Sequence, residues 1–358
     1  MRRAVCVFVV LGMISPVTNA PKILFLADAG PVVGGGHVMR CLTLGKALSD
    51  LSAECRFMAP PPVAQILQRF GGDKMGQIKC EPDRLVTLAC KQSSDIIVVD
   101  HYGLGEKEEA ALGLGRRLVV LDDLPGRVHS CDLLLDPSLG RTAQDYSGKV
   151  PEAAKVLAGP QYALVRPEFA QLRAETLERR HSGVGNGPIL VALGLTDLFG
   201  LTAKVVEVLL DLNLPNPIWA VVGAEAQSLP HLKAHASQHV QLSVYVETLD
   251  MAGLMSRADL AIGAGGSSTW ERACLGLPSL TVILADNQAE LARRLEREGA
   301  SVALDARSPG FGSALAVAVR GLAGHDQALK ALSSKASALC DGLGSGRVAA
   351  AVLDLCKA

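Results

Sequence analysis

Short apolar runs alternate along most of the chain with helix-length stretches whose apolar residues recur at helical spacing. The runs suit strands buried on both faces and the longer stretches suit amphipathic helices. Together they predict βαβ units feeding parallel sheets. In the first half the strands read as 22–28, 54–58, 95–99, 117–121 and 132–135, with a helix from His37 to about Asp50. Residues 179–188 are polar and Gly-rich, end in Pro188, and read as a linker. The second series gives strands at 189–193, 218–222, 240–244, 259–262, 279–284 and 301–304. Its helices read as 201–212, 229–238, 250–257, one from Ser268, 288–298, and a helical tail at 326–356. The pattern predicts an apolar extension (1–20), one α/β domain (21–180), a second (188–325) and a C-terminal helical segment (326–358). Two Rossmann-like domains facing a central cleft place a ligand at the carboxyl ends of their strands.

Composition narrows the class without choosing a reaction. The 358 residues carry a net charge of −1, with both signs interspersed, which offers no basic surface for nucleic acid or anionic lipid. Apolar content of 49% with 4% aromatic fits Ala/Leu/Val-rich parallel sheets. Nine cysteines, scattered and without a CxxC, argue for a reduced, cytoplasmic compartment and against a disulfide or zinc framework. Met1-Arg2-Arg3 followed by the apolar run 4–14 has a secretory layout. Pro21 directly after the small-residue exit at Ala20 obstructs cleavage, and the run is too short to span a bilayer. A dispensable extension or a mis-set start is the expectation rather than secretion, with no stable membrane insertion.

Two glycine-rich strand-to-helix junctions carry the chemistry. The first is Gly34-Gly35-Gly36-His37-Val38-Met39-Arg40-Cys41 and the second is Gly263-Ala264-Gly265-Gly266-Ser267-Ser268-Thr269-Trp270-Glu271, with Asp286-Asn287-Gln288 downstream. Glycines opening a helix bring free N–H groups against an anion, and nearby hydroxyls add donors, so the second loop suits a diphosphate held without a metal. It lacks the Lys-Ser/Thr ending of a Walker loop. Glu271 can accept the hydroxyls of a ribose. The same residues equally suit a helix cap at Ser267 or Ser268 with Glu271 complementing the dipole. His37, on the first helical turn, is a candidate base for water, or a cap. Arg40, one turn on, can meet an anion or pair with Asp28. Asp100-His101-Tyr102 follows a strand and suits a sugar pocket. Of the adjacent Asp122 and Asp123, which point apart, one is structural. His231, His235 and His239 align on a helix without an acidic partner, so no metal site is expected.

Together these residues resemble the UDP-sugar hydrolases of pseudaminic acid biosynthesis, the PseG family, within the wider MurG-like glycosyltransferase-B (GT-B) superfamily. The resemblance is carried by Asp28 with Gly34–Leu44, Asp100–Leu104, Leu121–Leu124, Asp136-Pro137, Leu157–Phe169, and the AGGSSTWE and NQ elements, in consistent order over roughly residues 22–300. It implies a GT-B-like α/β fold and metal- and cofactor-free hydrolysis of UDP-2,4-diacetamido-2,4,6-trideoxy-β-L-altropyranose with inversion. His37 would be the base. Asp28, Gly36, Arg40, Tyr102, Arg166, Thr196, Gly265, Gly266, Ser267, Ser268, Thr269, Glu271, Asn287 and Gln288 would bind substrate. Two positions depart from that pattern: Leu26-Ala27 stands where an arginine usually precedes the aspartate, and Leu195 replaces a glycine in Gly194-Leu195-Thr196-Asp197. A bulkier Leu195 would narrow the approach to the diphosphate. A MurG-like glycosyltransferase, a hydrolysing 2-epimerase and a non-catalytic nucleotide-sugar binder are the competing readings.

Overall fold

A computed structural model describes residues 20–357 apart from 31–32, 73–74, 125 and 184. The signal-like run lies outside the described residues. The first half forms β1 (Lys22–Ala27), α1 (Gly36–Asp50), β2 (Glu54–Ala59), α2 (Pro61–Phe70), β3 (Gly76–Lys79), α3 (Leu85–Cys90), β4 (Ile96–Asp100), α4 (Glu106–Leu112), β5 (Arg117–Leu121), β6 (Leu133–Asp136), β7 (Lys155–Ala158) and α5 (Pro167–Ser182). The second half continues with β8 (Ile189–Ala192), α6 (Leu201–Asp211), β9 (Ile218–Val222), α7 (Leu229–Gln238), β10 (Leu242–Val246), α8 (Met251–Arg257) and β11 (Leu260–Ala264). It closes with α9 (Ser268–Cys274), β12 (Ser279–Ile283), α10 (Asp286–Arg297), β13 (Val302–Asp305), α11 (Phe311–Leu322), α12 (Asp326–Leu339) and α13 (Gly344–Asp354).

Two wholly parallel sheets result, ordered β3-β2-β1-β4-β5-β6-β7 and β10-β9-β8-β11-β12-β13. Both reverse direction beside their first strand, the doubly wound order whose switch point holds ligands. β4 and β12 are buried at every position, as strands covered by helices on both faces must be. Phe25 and Phe57 stack at 4.6 Å beneath α1, and Val348, Ala349 and Val352 of α13 join that core. The C-terminal helix therefore returns to the first sheet, and the expected tail 326–356 is two helices broken at 340–343.

The expected linker at 179–188 is helical as far as Ser182. α5 packs Phe169 into the core of the second half, and Arg180, 1% exposed, donates to the carbonyls of Met255, Ala258 and Leu275. Polar residues on that turn are thus anchors for the next domain, which composition alone disguises as linker. α2, α3, α4, α5, α11, β3 and β7 are not among the elements the pattern predicts; β3 is an edge strand reading GQIK with no fully buried residue.

Below the loop after β5, His129 sits between two acids. Its Nδ1 is 2.9 Å from Glu109 Oε1, and its Nε2 is 3.0 Å from Asp122 Oδ2, off the line of a well-formed hydrogen bond. Burial opposes a charge here, but the two carboxylates win and push the imidazole up to about 9. A raised folded pKa gives stability that is fully present below the unfolded value near 6.5 and lost as pH rises through about 9. The melting temperature should fall between pH 6.5 and 9.5, and His129→Gln should melt lower at pH 6.5 with a shallower slope. Parallel slopes for the two proteins would remove this cluster as the cause.

Candidate active site

The first half of the site gathers at the β1/β4 switch point. Asp100, the last residue of β4, is fully buried. α1 starts at Gly36 without a side-chain cap, and Gly34 needs its φ of +76° to bring the loop back to that start. His37 and Arg40, three apart on one face, both turn toward Asp100. His37 Nδ1 is 2.5 Å from Asp100 Oδ1; Arg40 donates from Nε to Oδ2 at 2.5 Å and from Nη2 to Oδ1 at 2.6 Å. Of the two partners open to Arg40, the structure gives a carboxylate other than Asp28, which instead lies 3.8 Å from His101 Nδ1. Arg40 Nη1 continues to Asp123 Oδ2 at 3.1 Å, and Tyr102 donates its hydroxyl to Asp123 Oδ1 at 2.6 Å.

These contacts set protonation. Burial alone would raise the Asp100 pKa, but Arg40 and His37 outweigh it and hold the carboxyl well below the usual range. In the neutral tautomer whose Nδ1–H donates to ionised Asp100, the His37 lone pair is on Nε2. Nε2 makes no hydrogen bond among the described residues. The ring meets Tyr102 edge-on, with centroids 4.6 Å apart. Burial and the Asp123 carboxylate push the Tyr102 phenol upward, so it remains a donor. Of the adjacent acids, Asp123 enters the cleft, whereas Asp122 turns into the protein toward Arg127 and His129.

The second half closes over the first. Gly36, His37, Arg40 and Tyr102 line one cavity with Gly265, Gly266, Ser267, Asn287 and Gln288. A Cβ on Gly36 would stand 3.6 Å from Ser267 Oγ, so the two glycine loops nearly touch. Ser267 occupies the cap position of α9 without capping it. Ser267 itself lines the cavity, and helix starts leave N–H groups free. Gln288 accepts from Leu284 N through Oε1 at 3.0 Å, which orients its amide. Asn287 lines the same cavity as Tyr102.

Several expected residues lie elsewhere. Glu271 does not line the cavity: one turn past Ser267, its Oε1 accepts from Arg166 Nε at 2.8 Å, tying α9 to the start of α5. Arg166 is occupied by that pair and by Phe169, whose ring it covers at 4.8 Å. Thr269 is buried and accepts from Arg272 Nη2 at 3.1 Å; Ser268 accepts from Arg272 Nη1 at 3.1 Å. Both hydroxyls support the loop from behind. Thr196 is exposed beside Leu195, which packs toward the first glycine loop, 4.0 Å from where a Gly35 Cβ would be. Asp28 is likewise outside the cavity. Ser138, Arg141 and Trp270 line it without having been singled out; the placement of Arg141 after the strand end Asp136-Pro137 was the available signal.

No protein-family model matches the chain. Among curated proteins it is 25% identical over 286 residues to the UDP-2,4-diacetamido-2,4,6-trideoxy-beta-L-altropyranose hydrolase of Campylobacter jejuni, covering 78% of this chain and 98% of that protein. It is 29% identical over 292 residues to the spore coat polysaccharide biosynthesis protein SpsG of Bacillus subtilis, covering 78% and 82%. Among solved structures, Acinetobacter baumannii MurG superposes with a TM-score of 0.65 at 17% identity, over 94% of this chain and all of that one. Among the described residues no helix is long and apolar enough to cross a membrane. The chain has the GT-B-like architecture of two Rossmann-like domains about a cleft, and over most of its length it is similar to a curated UDP-sugar hydrolase.

Proposed function

We propose that the protein hydrolyses UDP-2,4-diacetamido-2,4,6-trideoxy-β-L-altropyranose to UDP and the free sugar, with inversion at the anomeric carbon. The observation that carries this is His37: its Nδ1 is anchored on buried Asp100, and the ring lines the cavity opposite the glycine loop. Nε2 takes a proton from water as the oxygen attacks C1, and the C1–O bond breaks toward the diphosphate. N–H groups and the Ser267 hydroxyl receive the developing charge. Asn287 and Gln288 face the sugar. The similarity to the Campylobacter hydrolase supports the same substrate.

Proton NMR of the protein with this UDP-sugar, EDTA present and no acceptor, tests the reading. UDP with the inverted anomer formed first is the expected result. Tight UDP binding without turnover would favour the second reading, a glycosyltransferase, which the likeness of fold to MurG keeps in view. A smaller effect tests the cradle. Ser267→Ala should weaken UDP about 2–10-fold by calorimetry, the worth of one hydrogen bond. Unchanged affinity would take Ser267 off the diphosphate.

A further inference from the structure

Arg141, on the loop after β6, lines the same cavity as His37, yet the proposed hydrolysis leaves it unused. Its side chain is 10% exposed. Nη2 donates to Glu290 Oε2 at 3.3 Å, a long bond to a half-exposed carboxylate. Nε is buried and makes no hydrogen bond. Asp136 Oδ2 lies 3.4 Å from it but already accepts from the Tyr146 hydroxyl at 2.6 Å. Nη1 has no partner among the described residues.

Arg272, behind the second glycine loop, also has a buried Nε without a hydrogen bond, but its Nη1 and Nη2 both donate, whereas Nη1 of Arg141 does not. Arg180 reaches three carbonyls. Arg294 spends Nη1 on Leu139 O and its remaining nitrogens on Glu290. A buried donor left unmade is unfavourable unless a ligand completes it. The free group of Arg141 is Nη1, whose N–H donors suit an sp² oxygen, while Nε lies on the other side of the guanidinium, against Asp136.

Position selects the ligand group. α10 presents Asn287 and Gln288 at its start, then Glu290 and Leu291 one turn further along. With a diphosphate on Gly265–Ser267 and C1 at His37, ring substituents remote from C1 run toward that second turn. Leu139, Leu164 and Leu291 line the same cavity and suit a methyl group, while the Glu290 carboxylate repels an anion. The geometry points to Arg141 as a specificity-determining residue that donates to the carbonyl of an acylamino substituent on the sugar, with the leucines holding its methyl. This inference rests on the nucleotide-sugar reading above and deepens it.

Calorimetry with UDP, the UDP-diacetamido sugar and UDP-glucose, on wild type, Arg141→Ala and Arg141→Lys, provides the test. Arg141→Ala should weaken the diacetamido ligand about 10–100-fold, leave UDP and UDP-glucose within about twofold, and raise KM with little change in kcat. Arg141→Lys, which keeps the charge but not the planar placement of Nη1, should restore only part of the loss. Parallel weakening of UDP would assign Arg141 to phosphate and overturn the inference. Equal loss on both sugars, no loss at all, or a fall in melting temperature that accompanies uniform weakening would overturn it too. Because binding is read directly, a wild type that binds without hydrolysing would defeat the hydrolase reading while the Arg141 comparison still decides its own question.

Discussion

Replacing His37 by alanine is expected to lower turnover roughly 10²–10⁴-fold, the contribution of a positioned general base, with UDP affinity within about threefold of wild type. The separation follows from geometry. The imidazole is on α1 of the first domain, whereas the groups proposed to hold diphosphate are on the loop before α9 and at the start of α10. His37 is 6% exposed and borders an open cavity, so its loss leaves space that water fills rather than a collapsed core. Steady-state rates and UDP calorimetry on the same preparation read the two quantities. If affinity falls in step with rate, His37 is a binding group and the base lies elsewhere. His37→Leu, of similar bulk, guards against a rearranged loop as the source of the effect.

Asp100→Asn should be nearly as damaging, with a rate loss of about 10³–10⁴-fold by analogy with triads whose orienting aspartate is amidated. The carboxylate has two tasks. It fixes the proton on His37 Nδ1, and it neutralises Arg40, which donates to both of its oxygens. An asparagine can present its amide N–H to Nδ1, which moves the ring proton to Nε2 and removes the lone pair facing the cavity. Arg40 retains Asp123, so the variant should fold, and circular dichroism with a thermal melt establishes this before rates are compared. Activity within about fivefold of wild type would mean that the tautomer is set otherwise. Because the ionised Asp100 is held well below the usual carboxylate range, its protonation should not appear as a limb of the rate profile above pH 4.

Much of this arrangement is legible in the residues. The alternation of apolar runs with amphipathic stretches reports parallel sheets because strands buried on both faces cannot hide their composition. The glycine junctions report strand-to-helix turns because backbone at Gly34 adopts a left-handed φ. The spacing of His37 and Arg40 reports a shared helix face. Side-chain direction at the second junction is less legible. Ser267, Ser268, Thr269 and Glu271 look alike as polar residues at a helix start, yet one faces the cavity, two brace Arg272 and one pairs with Arg166. Local spacing orders such residues around a helix axis without saying which neighbour each will meet.

The sequence by itself determined that this chain makes two α/β units with glycine loops at strand ends, and that a histidine opens one loop's helix and a serine precedes the other's. Local periodicity and backbone sterics are enough for that. The tertiary structure decided the pairings. It put Asp100 beneath His37 although 63 positions separate them, drew Glu271 to Arg166 and away from the cavity, folded α13 back on the first sheet, and left Arg141 with an unused donor. Each of these depends on which buried charges and donors meet once the sheets are assembled. That is a property of long-range packing, where low dielectric penalises every unpaired group, and short windows of sequence carry no record of it.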